Sequence, residues 1–500
     1  MRLLKRSFII QCLCVAPFFG GYAQSSTHTL YNISTFASLS TDRQTPFWMT
    51  SNRQGIVPLK ANNGYMQAQV YHYQPLGGKF GLRAGIDMVA VTPRDKNILI
   101  QQLFMEIAYD WLHLSIGSRG SGDADYGTDR YNTSLLDASL SSGDMALSSN
   151  ARPIPEINLY TPDFINVPWT NAWLQVKGNF AAGRSFDTDC LESFIRKKQH
   201  YVQNVLWHHK SLYLRMKEMQ GDFPFSMTVG LRHVAQWGGV STNPVAGTQP
   251  HSLKDFLRVM IGKSGGDDAS LSDQINVLGN HYGTYDFQLG YELPNASLYA
   301  YYQHFFDDAS GMEFYNALDG LMGIRLDLHN GDKRRWLDKI LVERLNTLNQ
   351  SGPFHFISFD HDKYPGYGGG GDNYYNNGEY VTGASYFNRS TGSPLLLSPE
   401  YNTAGRLGFR HNRVTAWHLG AEGYFADNFS YRLLCSKMES FGTSYEPVLK
   451  KMRALSAATT VTCHCRNAWS FSVTIAADRG DLSGNRAGIG FSVTKKGKLR

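Results

Sequence analysis

The stretch 283–303, GTYDFQLGYELPNASLYAYYQ, most narrows what this chain folds into. Tyr285, Phe287, Leu289, Tyr291 and Leu293 alternate with Asp286, Gln288, Gly290 and Glu292. A pleated strand with that period carries one apolar, aromatic face and one polar face. Pro294-Asn295 gives a tight turn and a second aromatic-rich run follows, so the unit reads as a hairpin. It recurs along the chain with strands of about ten residues, the length that crosses a bilayer when tilted in a closed barrel. The period is cleanest at 224–237, where Phe225, Met227, Val229 and Leu231 alternate with Ser226, Thr228, Gly230 and Arg232.

Composition points the same way. Aromatics are 13% of the 500 residues and Gly reaches 49, a supply of strand formers and turn residues. The net charge of +6 is spread thinly and forms no basic stripe, which argues against a nucleic-acid partner. Residues 1–23 open with Arg2, Lys5 and Arg6, continue through an apolar core at 7–19 and end in Gly21-Tyr22-Ala23, the form of an export signal peptide. Cys12 and Cys14 lie inside that core, against a lipid-anchored N-terminus. No later stretch supplies the roughly 18 apolar residues of a membrane helix, and a barrel is the other way to span lipid without orphaned backbone groups.

The chain divides into the signal peptide 1–23, a segment 24–63 holding a plug element or the first strand, and a barrel over 64–500 with long extracellular loops. About seventeen alternating runs are read between 64 and 494, and an even barrel takes one more from 27–63. Connections alternate too: short at 218–223, 294–295, 329–333, 426–428 and 466–467, long at 119–153, 238–282, 306–318, 351–403 and 440–453. Periplasmic turns are short and surface loops long in such barrels, so the long ones face outward. The expected fold is all-β, a transmembrane antiparallel β-barrel of about eighteen strands with short helices in plug or loop segments. One helix is expected at 252–262, with Leu253, Phe256, Leu257 and Met260 on one face and Ser252 and Asp255 at capping-box positions. It and a second run at 190–206 are expected to fold over the barrel mouth or line it.

Candidate chemistry lies mainly in loops. The stretch 366–380, GYGGGGDNYYNNGEY, follows mobile glycines with Asp372, Asn373, Tyr374, Tyr375, Asn376 and Asn377; Tyr364 and Tyr367 stand at its start. Flat rings stack on sugar C–H faces, and short amides and carboxylates meet ring hydroxyls, so this composition suits a saccharide. A flexible loop anchored by tyrosines fits the same letters. Arg232, His233 and Trp237 sit near the outer end of a strand, as a hydrogen-bonding patch or as a girdle ring beside ordinary lumen polars. Asp286, Glu292, Arg325 and Asp327 are expected to pair across the interior.

Neither metal nor cofactor is called for. Cys463-His464-Cys465 resembles a ligand set, but neighbours along a strand point to opposite faces, which favours a structural reading. Cys435 and Cys463 fall on neighbouring runs and fit a disulfide or two isolated thiols, while Cys190 stands apart. A glycosidase would need two carboxylates at a set separation, and Asp267, Asp268, Asp307, Asp308 and Glu400 are loop acids whose spacing the sequence does not give. His361 lies between carboxylates at 359–362, as a metal or acid–base group. No nucleophile motif and no phosphate cradle is present.

Five blocks, TPFWMTSNRQG (45–55), SGDMALSSNARPIPEI (142–157), LRHVAQWGG (231–239), NQSGPFH (349–355) and GDNYYNNGEY (371–380), resemble the Wzi-like capsule-assembly family in its Bacteroides-type form. The resemblance implies an outer-membrane barrel with its lumen obstructed by loops or helices. It further implies a lectin-like, non-enzymatic, monomeric protein that binds capsular polysaccharide at the cell surface, with outer-membrane lipid around it. The chain departs from the common barrel pattern at its end, where Phe491 is followed by SVTKKGKLR in place of a terminal aromatic, so the assembly signal is expected internally or the last residues as a tail. Two other classes fit the strands: a porin-like diffusion channel and a secreted β-rich polysaccharide hydrolase.

Overall fold

The computed structural model describes residues 27–94, 97–120, 134–196, 198–218, 223–316, 318–329, 336–352 and 370–499. The first barrel strands are His28–Ser40 (β1), Gly64–Gly77 (β2), Phe80–Thr92 (β3), Ile98–Tyr109 (β4), Leu112–Ser118 (β5) and Pro155–Tyr160 (β6). Leu174–Arg184 (β7), Leu206–Lys217 (β8), Phe225–Trp237 (β9), Asn280–Leu293 (β10), Ala296–Phe306 (β11) and Gly320–Leu328 (β12) follow. The last are Lys339–Asn346 (β13), Val414–Ala426 (β14), Phe429–Gly442 (β15), Pro447–His464 (β16), Trp469–Gly480 (β17) and Arg486–Leu499 (β18). Short helices Phe47–Thr50 (α1), Thr188–Phe194 (α2), Leu253–Met260 (α3), Leu271–Ile275 (α4) and Ala309–Met312 (α5) lie in the connections.

Every strand pairs antiparallel with its neighbours, and β1 pairs with both β2 and β18, so the sheet has no open edge. Of 19 hydrogen-bonded segments, Ile165–Asn166 only continues β6 along β7 across a break, which leaves eighteen strands. Part of the segment before residue 64 supplies the eighteenth, as β1. An even count puts both ends of the sheet on the periplasmic side, with the short turns, and the long loops on the other.

The dyad pattern fixes the faces. Met227, Leu289 and Ile475 point outward and are exposed, whereas Asp286, Gln303 and Glu343 point inward and are buried. At the periplasmic rim the rings of Phe225 and Tyr291 lie 4.6 Å apart, Phe80 and Tyr109 4.7 Å, and Phe425 and Phe429 5.6 Å, a girdle at the height of the headgroups. Inside, polar side chains satisfy one another: Asp87 accepts from Gln67 at 2.8 Å and Gln69 at 3.0 Å, and Glu106 accepts from Arg83 at 2.9 Å. The expected lumen pairing holds only in part: Arg325 lies 3.0 Å from Asp327 two positions along the same strand, whereas Glu292 pairs with Lys217 at 3.3 Å and Asp286 with Arg232, on the wall rather than across the interior.

Two expectations change. Residues 492–499 are no tail: they complete β18 and pair with β1 as far as Leu499 opposite Thr29. The helix expected over 190–206 is short, spanning only Thr188–Phe194, because Ile195 turns extended and Val202-Gln203 pairs with Val240-Ser241. Cys190, Cys435, Cys463 and Cys465 are free thiols, and Cys463 stands opposite Phe429 rather than Cys435.

Ile475 sits halfway along β17 on the exposed face. Ile475→Arg is expected to destabilise the barrel by about 2–4 kcal/mol in equilibrium unfolding from vesicles, while Ile475→Leu leaves it near wild type.

Candidate functional site

A barrel of this circumference has more interior than wall side chains fill. Three connections from the extracellular side turn back and fill it: 41–63, 134–153 and 370–413. In the first, all four residues of α1 are buried, and the Phe47 amide donates to Asp478 Oδ2 on β17 at 2.9 Å. In the second, Ser141 Oγ and the Ser142 amide each donate to Glu343 at 2.7 Å, and the Leu140 carbonyl lies 2.8 Å from His418 Nε2. Gly420 makes that approach possible, since a Cβ there would stand 2.6 Å from the Leu140 oxygen. The three segments also lock to one another. Arg389 donates to the Thr50 carbonyl at 2.9 Å and the Val57 carbonyl at 2.6 Å, and the Ser148 amide donates to Thr391 O at 2.7 Å. Phe47, Trp48, Leu140, Met145, Tyr374, Tyr375, Leu396 and Phe409 share one apolar core with wall residues Phe305 and Leu341. A polar-lined cavity of about 510 Å³ remains beside Arg53, Asp137, Lys339 and Arg432.

The glycine-rich loop therefore serves a different geometry from an exposed platform. Tyr374 and Tyr375 are fully buried. The Tyr374 hydroxyl accepts from Asn316 at 2.6 Å and donates to Asp319 at 3.0 Å, and its ring meets Phe305 edge-on at 4.7 Å. Tyr375, in the left-handed region at φ 67°, donates to the Met145 carbonyl and accepts from the Ser393 amide at 3.1 Å. Asn376 clips Phe409 from both sides, accepting from its amide at 2.7 Å and donating to its carbonyl at 2.9 Å. Asp372 accepts from Ser351 Oγ at 2.6 Å; burial, and then the charge of Asp308, push its carboxyl up to about 7. Tyr364, Tyr367 and His361 lie outside the described residues.

Arg232 points inward, 2.7 Å from Asp144 on the second plug segment, and donates to the Tyr213 hydroxyl at 2.7 Å; that hydroxyl donates to Asp286 at 2.5 Å. It is one of the ties between wall and plug. His233 and Trp237, one and five positions along, have the other parity and lie on the outside of the wall, where His233 Nε2 is 2.8 Å from His281 Nδ1 and the Trp237 ring is 5.6 Å from Phe256. Arg232 and His233 are thus not brought together into one patch.

At the extracellular rim the structure gathers residues that the sequence did not single out. Arg406 and Arg410, near the end of the third plug segment, both pair with Glu446 in the β15–β16 loop. Tyr445 beside it is 63% exposed. Ser444 Oγ donates to Gln350 at 3.1 Å and to the Asp372 carbonyl at 3.3 Å, joining this loop to the base of the tyrosine pair. No local motif marks these residues; the one available signal is charge and an aromatic in loops on the same side.

Fold and interior together define an outer-membrane β-barrel with its own extracellular loops packed into the lumen. The family model for the capsule assembly protein Wzi matches residues 141–395, which take in the larger part of two of the three plug segments. The chain belongs to that family. Among solved structures, Escherichia coli Wzi, an outer-membrane carbohydrate-binding β-barrel involved in group 1 capsule assembly, is similar in fold with a TM-score of 0.53 at 10% identity, over 92% of this chain and 83% of that one. Pseudomonas aeruginosa OpdH and OpdL are also similar, each with a TM-score of 0.46, at 9% and 11% identity, over 95% of this chain and 99% of theirs. No curated protein matches the sequence.

Arg232→Met strands the buried Asp144 carboxylate, and the expected loss is about 3–5 kcal/mol by equilibrium unfolding, with part recovered in Arg232→Met/Asp144→Leu. A carboxyl whose folded pKa is raised stabilises fully below its unfolded value of about 4 and loses that contribution as pH rises through about 7. Amide exchange over 370–380, corrected for intrinsic rate, is therefore expected to accelerate between pH 5 and pH 8, and Asp372→Asn is expected to flatten the dependence.

Proposed function

We propose that this protein holds exported capsular polysaccharide at the cell surface as a lectin-like, non-enzymatic anchor. In this reading it works as a monomer, with residues 1–23 as signal peptide, 24–63 as an N-terminal segment that carries the first strand, and 64–500 as the remainder of the barrel. The observation that carries the proposal is the stitched interior. A barrel closed by buried ion pairs and a shared apolar core is poorly suited to diffusion, so its working surface is the extracellular rim. Membership of the capsule-assembly family, and the fold shared with a carbohydrate-binding barrel, support the same direction.

At that rim Tyr445 offers a ring face for sugar C–H stacking, and Arg406 and Arg410 offer planar guanidinium groups that suit the carboxylate of an acidic sugar. Asp372, Tyr374, Tyr375, Asn376 and Arg232 act from beneath as positioning residues. Tyr364 and Tyr367, in the same long connection, are proposed as further stacking contacts; His233 and Trp237 take no part. Hydrolysis is not part of the reading. Glu400 is ion-paired with Arg389 at 3.1 Å, and Asp267 and Asp268 belong to the segment against the outer wall.

Tyr445→Ala is expected to weaken retention of the organism's own capsular polysaccharide about tenfold, with the heat-dependent gel shift of the folded barrel unchanged. Arg406→Ala/Arg410→Ala is expected to weaken an acidic polymer more than a neutral one. Unchanged retention in both, with normal capsule on cells lacking the gene, would overturn the proposal. A large steady current across a planar bilayer would move the protein to the channel class, and shortening of the polymer to the hydrolases.

A further inference from the structure

The connection between β9 and β10 does not join the three plug segments. Instead of entering the lumen it folds down the outside of the wall. The upper, outward-facing residues of β8, β9 and β10, namely His208, Ala235, Trp237 and His281, are buried although they point away from the lumen. They are covered by α3 and the turn that follows. Phe256 packs its ring 5.4 Å from His208 and 5.6 Å from Trp237, Lys210 donates to the Met260 carbonyl at the end of α3, and Val259, Ala269 and Leu278 complete the contact. The segment holds itself together: Ser252 and Asp255 form a reciprocal capping box, and Asp273 accepts from the Gly279 amide at 3.0 Å.

With Phe256 and Val259 spent on the wall, α3 keeps a second apolar stripe facing away from it. Leu253, Leu257 and Ile261, at i, i+4 and i+8, are 75%, 49% and 67% exposed, and Leu271 and Ile275 of α4 are exposed as well. Lys254 and Arg258 flank the stripe. The height of the segment follows from the strand beneath it. Ten residues of β9 separate Phe225 in the periplasmic girdle from Ala235 under the helix. At about 3.3 Å per residue and a tilt of about 40°, that climb is roughly 25 Å, the full height of the apolar band. Below it, Leu212, Leu214, Leu289 and Met227 carry the exposed, lipid-facing wall down to the periplasmic girdle.

We propose that α3 and α4 form an interfacial element seated in the outer leaflet, with Leu253, Leu257, Ile261, Leu271 and Ile275 in contact with lipid and Lys254 and Arg258 toward water. The occupant of the stripe is lipid because the stripe is continuous with the wall that lipid already covers, and because an amphipathic helix at that height lies where such helices partition. The element clamps one side of the barrel to the membrane surface and fixes how deep the rim rides. The inference needs only the outer-membrane location and stands whether or not glycan binds.

The full-length protein, with all six cysteines (Cys12, Cys14, Cys190, Cys435, Cys463 and Cys465) changed to alanine, is spin-labelled singly at Leu257→Cys, Ile275→Cys, Lys254→Cys and, as a wall reference, Leu289→Cys. It is then reconstituted in vesicles of phosphatidylethanolamine and phosphatidylglycerol. The labels at 257 and 275 are expected to collide with oxygen and to lose collision with an aqueous nickel chelate, as at 289, while the label at 254 keeps it. Labels at 257 and 275 as open to the chelate as 254 would put the stripe in water and overturn the proposal. Labels shielded from both reagents would mean that a second copy covers it, which overturns it equally. If Leu257→Cys does not fold, Leu253→Cys reads the same stripe.

Discussion

Everything in this molecule follows from the impossibility of leaving a backbone amide or carbonyl unpaired in hydrocarbon. An unmatched polar group there costs several kcal/mol, and a sheet edge exposes a whole row of them. The pairing of β1 with β18 over twelve register positions, Thr29–Ser40 against Leu499–Gly488, removes the last edge. That is why the charged end VTKKGKL sits in a strand at all: its backbone is needed, and its lysines emerge near the periplasmic headgroups where long cationic side chains are tolerated.

Closure creates a second problem inside. Eighteen strands enclose more volume than wall side chains occupy, and a polar lumen is either flooded or packed. Here it is packed, and the same accounting of polar groups recurs within. Glu343 takes a hydroxyl and an amide from the second plug segment and a third bond from Tyr301 at 2.6 Å. Asp144 meets Arg232 at 2.7 Å and Gln303 at 2.8 Å. Removing one member of such a set strands its partners away from water, which makes the plug one cooperative unit rather than three loose loops.

The strands were legible because their signal is local. Alternation at 225–231 or 285–293 reports a two-faced environment directly, and the lengths of the connections report which side they are on. Parity even foretells that Arg232 and Trp237 face opposite ways. What the letters do not carry is the fate of a long connection after it leaves the sheet. The glycines before Asp372 read as mobility, yet Tyr374 and Tyr375 are core residues because Phe305, Met145 and Asn316, far away in sequence, close around them. Helix α3 was legible as a helix, cap included, but its stripe was misassigned: Phe256 and Val259 face the wall while Leu253 and Leu257 face away, and nothing in an eight-residue pattern says which of two apolar sides meets protein. The rim residues Arg406, Arg410 and Tyr445 carry no motif and come together only through the tertiary fold.

A packed interior also has a consequence for recognition. Loops that stay mobile must be ordered when a ligand arrives, and that ordering subtracts from affinity. In this chain the ordering is done during folding, by contacts made within the protein. Asn376 clips Phe409, Glu446 holds Arg406 and Arg410, and Ser444 ties that loop to Asp372. A repetitive polymer bound weakly at each repeat gains most from such a surface, because avidity multiplies whatever each repeat contributes only when neighbouring contacts hold fixed positions. The stitching that fills the barrel and the preorganisation of its rim are one set of interactions, so a change that loosens the plug loosens the rim with it.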